Sequence, residues 1–255
     1  MRHYDMKQEV FLYMTAHEQS HWWFSNQQKA ARLLLEKHLR KRHAMTLLDA
    51  GCGTGRCFEL LSSFGTVFGI EKNPDWCRYC IKEKAYEDVM CTSVENRTYG
   101  SQMFDAIVCL EVLEHTEHDT HVIRNFAWML KEKGMLVLSV PCGATFFSGT
   151  ERKLYGHYRR YNPGALKRKL EENFFTVIDY AYFNLLTLLP IVVIRKTADL
   201  FGLPVKNEVN TGKSLNTLLR CLLRLELPLF RLRLLPFGLS LFVVARKSKE
   251  GKCRN

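Results

Sequence analysis

Residues 47–56 read LLDAGCGTGR, an apolar run that passes through Asp49 into glycines at 51, 53 and 55. The run has the character of a buried strand, and the residues after it continue with helical spacing. Glycines permit positive φ angles and close approach of a ligand, and the first N–H groups of the next helix are free to bind it. Arg56 stands where a dinucleotide-binding loop needs its last glycine. The stretch therefore predicts a strand–turn–helix ligand site and disfavours a nicotinamide dehydrogenase.

Short apolar runs alternate with helical stretches around this turn. Strands are expected at 46–50, 66–70, 89–91, 104–110, 135–140, 174–183 and 238–246. Helices are expected at 8–43, 56–64, from 73 onward, at 121–130 with Gly134 as its end, and at 163–173. Repeated β-α-β units with near-continuous apolar strands predict an α/β fold, a parallel sheet with helices on both faces.

The chain divides into four predicted regions. They are an N-terminal helical cap (1–45), a core (46–183), a basic, Leu-rich helical insertion (184–236), and the last core strand with a tail (237–255). We expect the cap and the insertion to cover the carboxyl edge of the sheet. Prolines at 190, 204, 228 and 236 are expected to break the insertion into short helices.

Composition and charge narrow the function classes. With 47% apolar and 25% charged residues, the 255-residue chain has the balance of a globular protein, which excludes disordered, collagen-like and coiled-coil classes. No stretch predicts a signal peptide or a membrane span, so we expect a cytoplasmic protein with reduced cysteines. Residues 184–255 hold 13 Lys and Arg against 4 Asp and Glu. This basic, Leu-rich end favours peripheral contact with an anionic membrane and no nucleic-acid partner.

An acid and several further motifs surround the glycine turn. Glu71 ends the next strand about 20 residues on, where an acid accepts hydrogen bonds from ribose hydroxyls. The other motifs are F-D-A-I-V at 104–108, L-E-V-L-E-H at 110–115 and G-M-L-V-L-S-V-P at 134–141. With D-A-G-C-G-T-G at 49–55 and G-I-E at 69–71, residues 47–141 resemble a class I S-adenosylmethionine-dependent methyltransferase, of the group that includes ubiquinone-type O-methyltransferases.

The resemblance implies a Rossmann-like sheet of seven strands, mostly parallel with the last strand antiparallel, and S-adenosylmethionine as the cofactor. It implies that Asp49 and the three glycines, Gly51, Gly53 and Gly55, hold the methionine moiety. Glu71 would hold the ribose, and Asn73 would lie beside the adenosine. Ser93 stands where the family often places an acid against the adenine. Glu111, just past strand 104–110, completes the predicted cofactor-binding set.

Candidate catalytic and acceptor-binding residues follow the core strands. A hydroxyl acceptor needs a general base, for which histidine is suited near neutral pH. His115 is the first choice and His157 the second, although His115 also fits a solvated helix-capping position. Arg159, Arg160 and Tyr161 are predicted to bind substrate, because arginine forks bind phosphate and carboxylate. The alternative for residues 157–161 is a solvated loop.

Two sets of residues have metal-like spacing. His115, His118 and His121 recur every three residues among acids, and Cys77 and Cys80 form a C-x-x-C pair without a second pair. We interpret the histidines as a polar helix start and the cysteines as structural, so no metal is predicted.

Three segments outside the core refine the resemblance. The segments His21–Phe24, His157–Tyr161 and Pro236–Leu241 resemble a bacterial subgroup that often accompanies polysaccharide and lipid-linked sugar biosynthesis. His21–Phe24 fits either an aromatic anchor for the cap or a lid over the cofactor. We therefore expect methyl transfer, with O-methylation favoured, to a small-molecule, lipid-linked or glycan acceptor. The alternative is an inactive protein of this fold that binds membrane surfaces.

The insertion contains an amphipathic segment at 215–235. Arg220, Arg224 and Arg231 share one helical stripe, with leucines at 218, 219, 222 and 223 on the other side. This pattern predicts a membrane-surface helix, and an intramolecular cover over the acceptor cleft is the alternative.

Overall fold

The fold is organised around one sheet of seven strands in the order β3-β2-β1-β4-β5-β7-β6, seen in a computed structural model that describes residues 15–17, 20–39, 45–143, 156–201 and 212–249. Strands β1 to β5 pair in parallel, and β7 runs antiparallel between β5 and β6. The predicted Rossmann-like sheet and its antiparallel last strand are confirmed.

The elements follow the alternation seen in the sequence. The strands are β1 (Met45–Ala50), β2 (Gly65–Glu71), β3 (Asp88–Cys91), β4 (Phe104–Leu110), β5 (Leu130–Pro141), β6 (Phe175–Phe183) and β7 (Ser240–Lys247). The helices are α1 (Trp22–His38), α2 (Phe58–Ser62), α3 (Pro74–Glu83), α4 (Asp119–Met129), α5 (Pro163–Glu172), α6 (Leu188–Phe201) and α7 (Lys213–Leu232). A 3-10 turn at Leu113–His115 follows β4. Among the described residues, no helix combines the length and apolar character that a membrane span requires.

Helices cover both faces of the sheet because successive strand side chains point to opposite faces. Leu47 contributes to a core with α1, α2 and α7, whereas its neighbour Leu48 contributes to a core with α4 and α5. The cap helix α1 and the insertion helix α7 therefore pack across one face of the sheet. Both helices also reach the carboxyl edge that they were expected to cover: Gln27 of α1 donates to the Ser240 hydroxyl oxygen at 3.0 Å, and Glu226 of α7 accepts from the N–H groups just after β6.

Helices α1 and α7 are fixed to each other and to the edge strand β6. The backbone N–H of Trp22 donates to Asn216 Oδ1 at 2.8 Å, and Asn26 Nδ2 donates to the carbonyl oxygen of Arg220 at 3.2 Å. At the other end, Asp179 of β6 pairs with Lys37, His38 and Arg233. The N-terminal and C-terminal regions thus form one packed layer.

Three sequence predictions about local structure were wrong. Gly134 does not end a helix, because α4 ends at Met129 and β5 begins at Leu130. Pro228 does not break α7, which continues to Leu232. Pro228 is exposed, so water can bond the carbonyl oxygen that loses its N–H partner. Helix α6 likewise runs across position 190, which falls in its first turn, where an N–H is not needed.

The cysteines also differ from the prediction. Cys77 of α3 and Cys91 of β3 form a disulfide, although reduced thiols were expected throughout. It joins α3, the helix that follows β2, to the neighbouring strand β3. A turn at Ser20 and His21 interrupts the predicted helix over 8–43, so the prediction holds for 15–17 and for α1; positions 8–14, 18–19 and 40–43 lie outside the described residues.

Candidate cofactor and acceptor site

The glycine turn has the backbone conformation that its sequence requires. Gly51, Gly53 and Gly55 have φ angles of +76°, +60° and +76°. A Cβ on Gly51 would lie 2.4 Å from Val112 Cγ2, so the turn must be glycine where it meets the loop after β4. The carboxyl ends of β1 and β4 thereby bring Asp49 and Glu111 to the same edge of the sheet.

Glu71 connects the glycine turn to the start of α3. Its carboxylate accepts hydrogen bonds from the backbone N–H groups of Gly53 at 2.9 Å and Asn73 at 2.8 Å. Burial raises the pKa of Glu71, while these N–H groups act to lower it. Asn73 in turn caps α3, its side chain accepting from Asp75 and Trp76 N–H. The three predicted positions 53, 71 and 73 are thus connected by hydrogen bonds through Glu71.

Asp49 is a buried carboxyl under the same turn. The Tyr86 hydroxyl donates to Asp49 Oδ2 at 2.7 Å. Burial raises the pKa of Asp49 to about 6, while Tyr86 and the charge of Arg56 act to lower it and Glu71 acts to raise it. At neutral pH the group is therefore mostly a carboxylate, with a tyrosine donor that the sequence did not reveal.

These residues fit S-adenosylmethionine. A Cβ on Gly53 would meet only ring carbons of Trp76, at 3.7 Å, so the space above this residue is bounded by an aromatic side chain. Glu71 and Asp49 carry carboxylate oxygens, the acceptor type that ribose hydroxyls and an ammonium group require. A side chain at position 53 would fill the space that the turn leaves open.

The aromatic segment His21–Phe24 reaches this site. The guanidinium of Arg56 lies 4.8 Å from the centre of the Phe24 ring, a cation–π contact. Gln28 Nε2 donates to the Arg56 carbonyl oxygen at 2.8 Å, and Trp22 is buried in the core. The segment therefore anchors the cap through Trp22 while Phe24 contacts the residue that follows the glycine turn.

Glu111 and Ser93 occupy loops at the same edge. Glu111 has a positive φ of 56° and accepts from the Ser139 hydroxyl at 2.8 Å. A non-glycine residue in this conformation stores strain of a kind that clusters at functional sites. Burial raises the pKa of Glu111. Ser93 Oγ accepts from the N–H of Glu95 at 3.2 Å, so it caps its own loop.

The two candidate bases lie together. The His115 and His157 rings meet edge to face with centroids 4.5 Å apart. Ligand atoms of Glu114, His115 and His157 lie within 4.8 Å of one another, close enough to share a metal ion. His115, His118 and His121, whose spacing was interpreted as a polar helix start, are not the group that the structure assembles in the described residues. The candidate ligands come from two separate segments instead.

Residues 159–161 make ion pairs and hydrogen bonds with other residues of the chain. Arg159 pairs with Asp119 at 3.0 Å, and the Tyr161 hydroxyl donates to the same carboxylate at 3.0 Å. Burial acts to raise the pKa of Asp119, but Lys169, with Arg159 and Tyr161, lowers it overall. Arg160 is nearly buried and donates to the Cys142 carbonyl oxygen at 2.7 Å. Substrate binding by these three residues stays a prediction. The contacts of Arg159 and Tyr161 with Asp119 also give these two residues a structural role.

Sequence reasoning missed three residues of this region. Tyr86 lies between α3 and β3, Ser139 lies inside a buried strand, and Asp119 opens α4. Serine in an otherwise apolar strand was a usable signal for Ser139. Nothing local marked Tyr86, because its partner Asp49 is brought near by the sheet.

Comparison with known proteins agrees with the fold. A family model described as a methyltransferase domain matches residues 22–180. The mitochondrial ubiquinone biosynthesis O-methyltransferase of Saccharomyces cerevisiae is 33% identical over 126 residues, covering 45% of this chain and 39% of that protein. The chain thus matches about two fifths of that relative's length.

Solved methyltransferases share the architecture. A SAM-dependent methyltransferase from Archaeoglobus fulgidus aligns with a TM-score of 0.57 at 17% identity, covering 93% of this chain and 99% of that one. The 1,6-didemethyltoxoflavin-N1-methyltransferase of Burkholderia thailandensis, solved with bound S-adenosylhomocysteine, aligns with a TM-score of 0.54 at 16% identity, covering 94% and 89%. At these identities the likeness concerns the fold.

Proposed function

The chain belongs to the class I S-adenosylmethionine-dependent methyltransferases, and we propose that it methylates a hydroxyl of a small amphipathic acceptor. The observation that carries the proposal is the carboxylate of Glu71, which accepts from both Gly53 and Asn73 N–H groups beside a turn of positive-φ glycines. This arrangement leaves oxygen lone pairs of Glu71 for ribose hydroxyls.

When bound, S-adenosylmethionine supplies a methyl group on a sulfonium, which a nucleophile attacks in line. In our proposal the chain contributes mainly position and orientation, worth on the order of 7–11 kcal/mol at best. Glu71 and Asn73 hold the adenosine side, and Asp49 with the glycine turn holds the methionine side. Phe24 and Arg56 close the edge where α1 meets the turn.

We assign proton removal from the acceptor to the histidine pair. His115 follows β4 at the carboxyl edge, and His157 packs against its ring. One histidine takes the hydroxyl proton while the other fixes the orientation of its ring. The charge of Arg160 acts on Glu111 at the same edge, and we keep Arg160 as a candidate for binding the acceptor.

The proposed acceptor is lipid-linked or otherwise amphipathic. The yeast relative carries a name that places it in ubiquinone biosynthesis, as an O-methyltransferase. The basic, Leu-rich helices before β7 suit an enzyme that meets its acceptor at an anionic membrane from the cytoplasmic side. A soluble glycan or small molecule would be methylated without that surface.

The test combines binding and turnover. Calorimetry with S-adenosylhomocysteine is expected to show binding by the full chain, and labelled S-adenosylmethionine is expected to mark a component of a lipid extract. His115→Ala and His157→Ala are each expected to lower turnover about 10²- to 10⁴-fold if that residue is the base, with cofactor affinity unchanged. The control is His118→Ala, an exposed histidine outside the pair.

Two outcomes would contradict the proposal. Absence of S-adenosylhomocysteine binding would exclude the cofactor assignment. Binding without methylation of a lipid, glycan or small-molecule fraction would favour the inactive, membrane-binding alternative.

A further inference from the structure

Helix α7 exposes a row of leucines that its own fold does not use. Leu218, Leu225, Leu229 and Leu232 are 41–67% exposed. Their separations of seven, four and three residues place them on one side of a helix. Large apolar side chains in a contiguous exposed row are uncommon on monomeric proteins and mark an interaction surface.

The opposite side of α7 accounts for its attachment to the molecule. Leu223 and Phe230 are fully buried in the core shared with α1. Glu226 is also buried, and its carboxylate accepts from the backbone N–H groups of Leu185 and Leu186 at 3.0 and 2.6 Å. The leucine row therefore faces away from the layer that stabilises the helix.

Positive charge borders the leucine row. Lys213, Arg224 and Arg231 are exposed and share one stripe of α7, which on the helical wheel lies about a third of a turn from the leucine row, on one side of it. The acid of α7, Glu226, is buried, so the exposed side of this helix carries cations and no carboxylate. A surface with leucines flanked by cations complements an anionic partner.

Arg220 does not belong to this border. It is half-buried and donates to the carbonyl oxygen of Ser20 at 3.5 Å. Of the three arginines of the stripe expected from the sequence, Arg220 therefore contacts the residues before α1, whereas Arg224 and Arg231 are exposed.

We propose that α7 lies in the interface of an anionic lipid bilayer, with the leucine row in the acyl boundary and Arg224 and Arg231 among the headgroups. This rests on the proposed function, for which it names the surface that meets the acceptor's membrane. A second copy of the chain is a poorer occupant, because two such faces would bring their cationic borders together.

Helix α1 links α7 to the residues of the candidate cofactor site. The Asn216 side chain of α7 accepts a hydrogen bond from the Trp22 N–H in the first turn of α1. Two residues further along α1, the Phe24 ring makes a cation–π contact with Arg56. A bilayer under α7 would therefore lie one helix away from the residue that follows the glycine turn.

The experiment is vesicle co-sedimentation of the full chain, with phosphatidylglycerol–phosphatidylcholine vesicles compared with phosphatidylcholine alone at low and high salt. Wild-type protein is expected to bind the anionic vesicles, less at high salt. Arg224→Gln with Arg231→Gln is expected to weaken binding about thirtyfold, from about 1 kcal/mol for each cation. Leu225→Gln with Leu229→Gln and Leu232→Gln is expected to weaken it at least about tenfold.

Matched controls and a second measurement keep the outcomes distinct. Ile81→Gln changes an equally exposed apolar residue on α3, and Lys249→Gln changes an exposed cation; neither is expected to alter vesicle binding. Wild-type protein that stays in the supernatant, or leucine variants that bind like wild type, would overturn the proposal. A dimer in light scattering that the leucine variants abolish would assign the surface to a second copy. Loss of S-adenosylhomocysteine binding with intact vesicle binding would refute the proposed function alone.

Discussion

Replacing Glu71 by alanine is expected to weaken cofactor binding and to lower stability by different amounts. The carboxylate accepts two backbone hydrogen bonds, from Gly53 and Asn73, and in our proposal also binds the ribose. A hydrogen bond to a charged group contributes about 1.5–3 kcal/mol. Losing the ribose contact therefore predicts a rise in Kd of roughly ten- to 150-fold.

The stability loss is expected to be smaller than the sum of two such bonds. Burial raises the pKa of Glu71, which means that the fold disfavours its charge. Alanine removes that unfavourable burial together with the two bonds, so we expect the free energy of unfolding to fall by about 2 kcal/mol.

Calorimetry with S-adenosylhomocysteine and urea unfolding measure the two quantities separately. Glu71→Gln keeps one acceptor oxygen and is expected to lie between alanine and wild type. Glu59→Ala, an exposed acid in the first turn of α2, is the control and is expected to change neither quantity. Unchanged cofactor affinity in a folded Glu71→Ala protein, with only turnover reduced, would place the ribose elsewhere.

Three further predictions address the turn, the buried acid and the histidines. Gly53→Val is expected to abolish S-adenosylhomocysteine binding in a protein that still folds. Gly51→Val is expected to lower the Tm strongly, because its side chain would overlap Val112. Equal Tm values for the two variants would contradict these different roles of the two glycines. Cofactor affinity is expected to fall as the pH drops through about 6, where Asp49 becomes protonated. Tyr86→Phe removes a hydrogen-bond donor to the Asp49 carboxylate, so it is expected to raise the pKa of Asp49 and move the fall in affinity to higher pH. Identical pH profiles for the two proteins in calorimetry would exclude a role of Asp49 in cofactor binding. EDTA is expected to leave turnover unchanged if His115 acts as a simple base, and loss of activity that a divalent ion restores would place a metal at the candidate ligands.

The sequence predicted best what depends on local pattern. The strands from 46 to 140 were located to within a few residues, except that β5 begins at Leu130, because their apolar runs are buried on both faces of the sheet. The spacing of the glycine turn and Glu71 was enough to predict that both belong to one ligand site. The helix expected from position 73 onward is α3, which Asn73 caps.

What depends on distant packing could not be predicted. The pairing of Cys77 with Cys91 requires knowing that α3 lies on β3. Arg159 and Tyr161 look available in the sequence, yet Asp119, some forty residues earlier, binds both. Pro228 suggested a break, but the buried contacts of Leu223 and Phe230 on either side hold α7 together.

Because α1 packs against α7, the N-terminal layer of the fold can be completed only late in synthesis. Residue 22 donates to residue 216, and Asp179 holds both residue 38 and residue 233. A chain emerging from the ribosome therefore displays α1 long before its partner helix exists, and Leu34 and Leu35 lack their final cover until then. A chain that stops before α7 would have the five parallel strands β1 to β5 with one face open, and it would lack β7, through which β6 joins the sheet; such a chain is a natural substrate for chaperones.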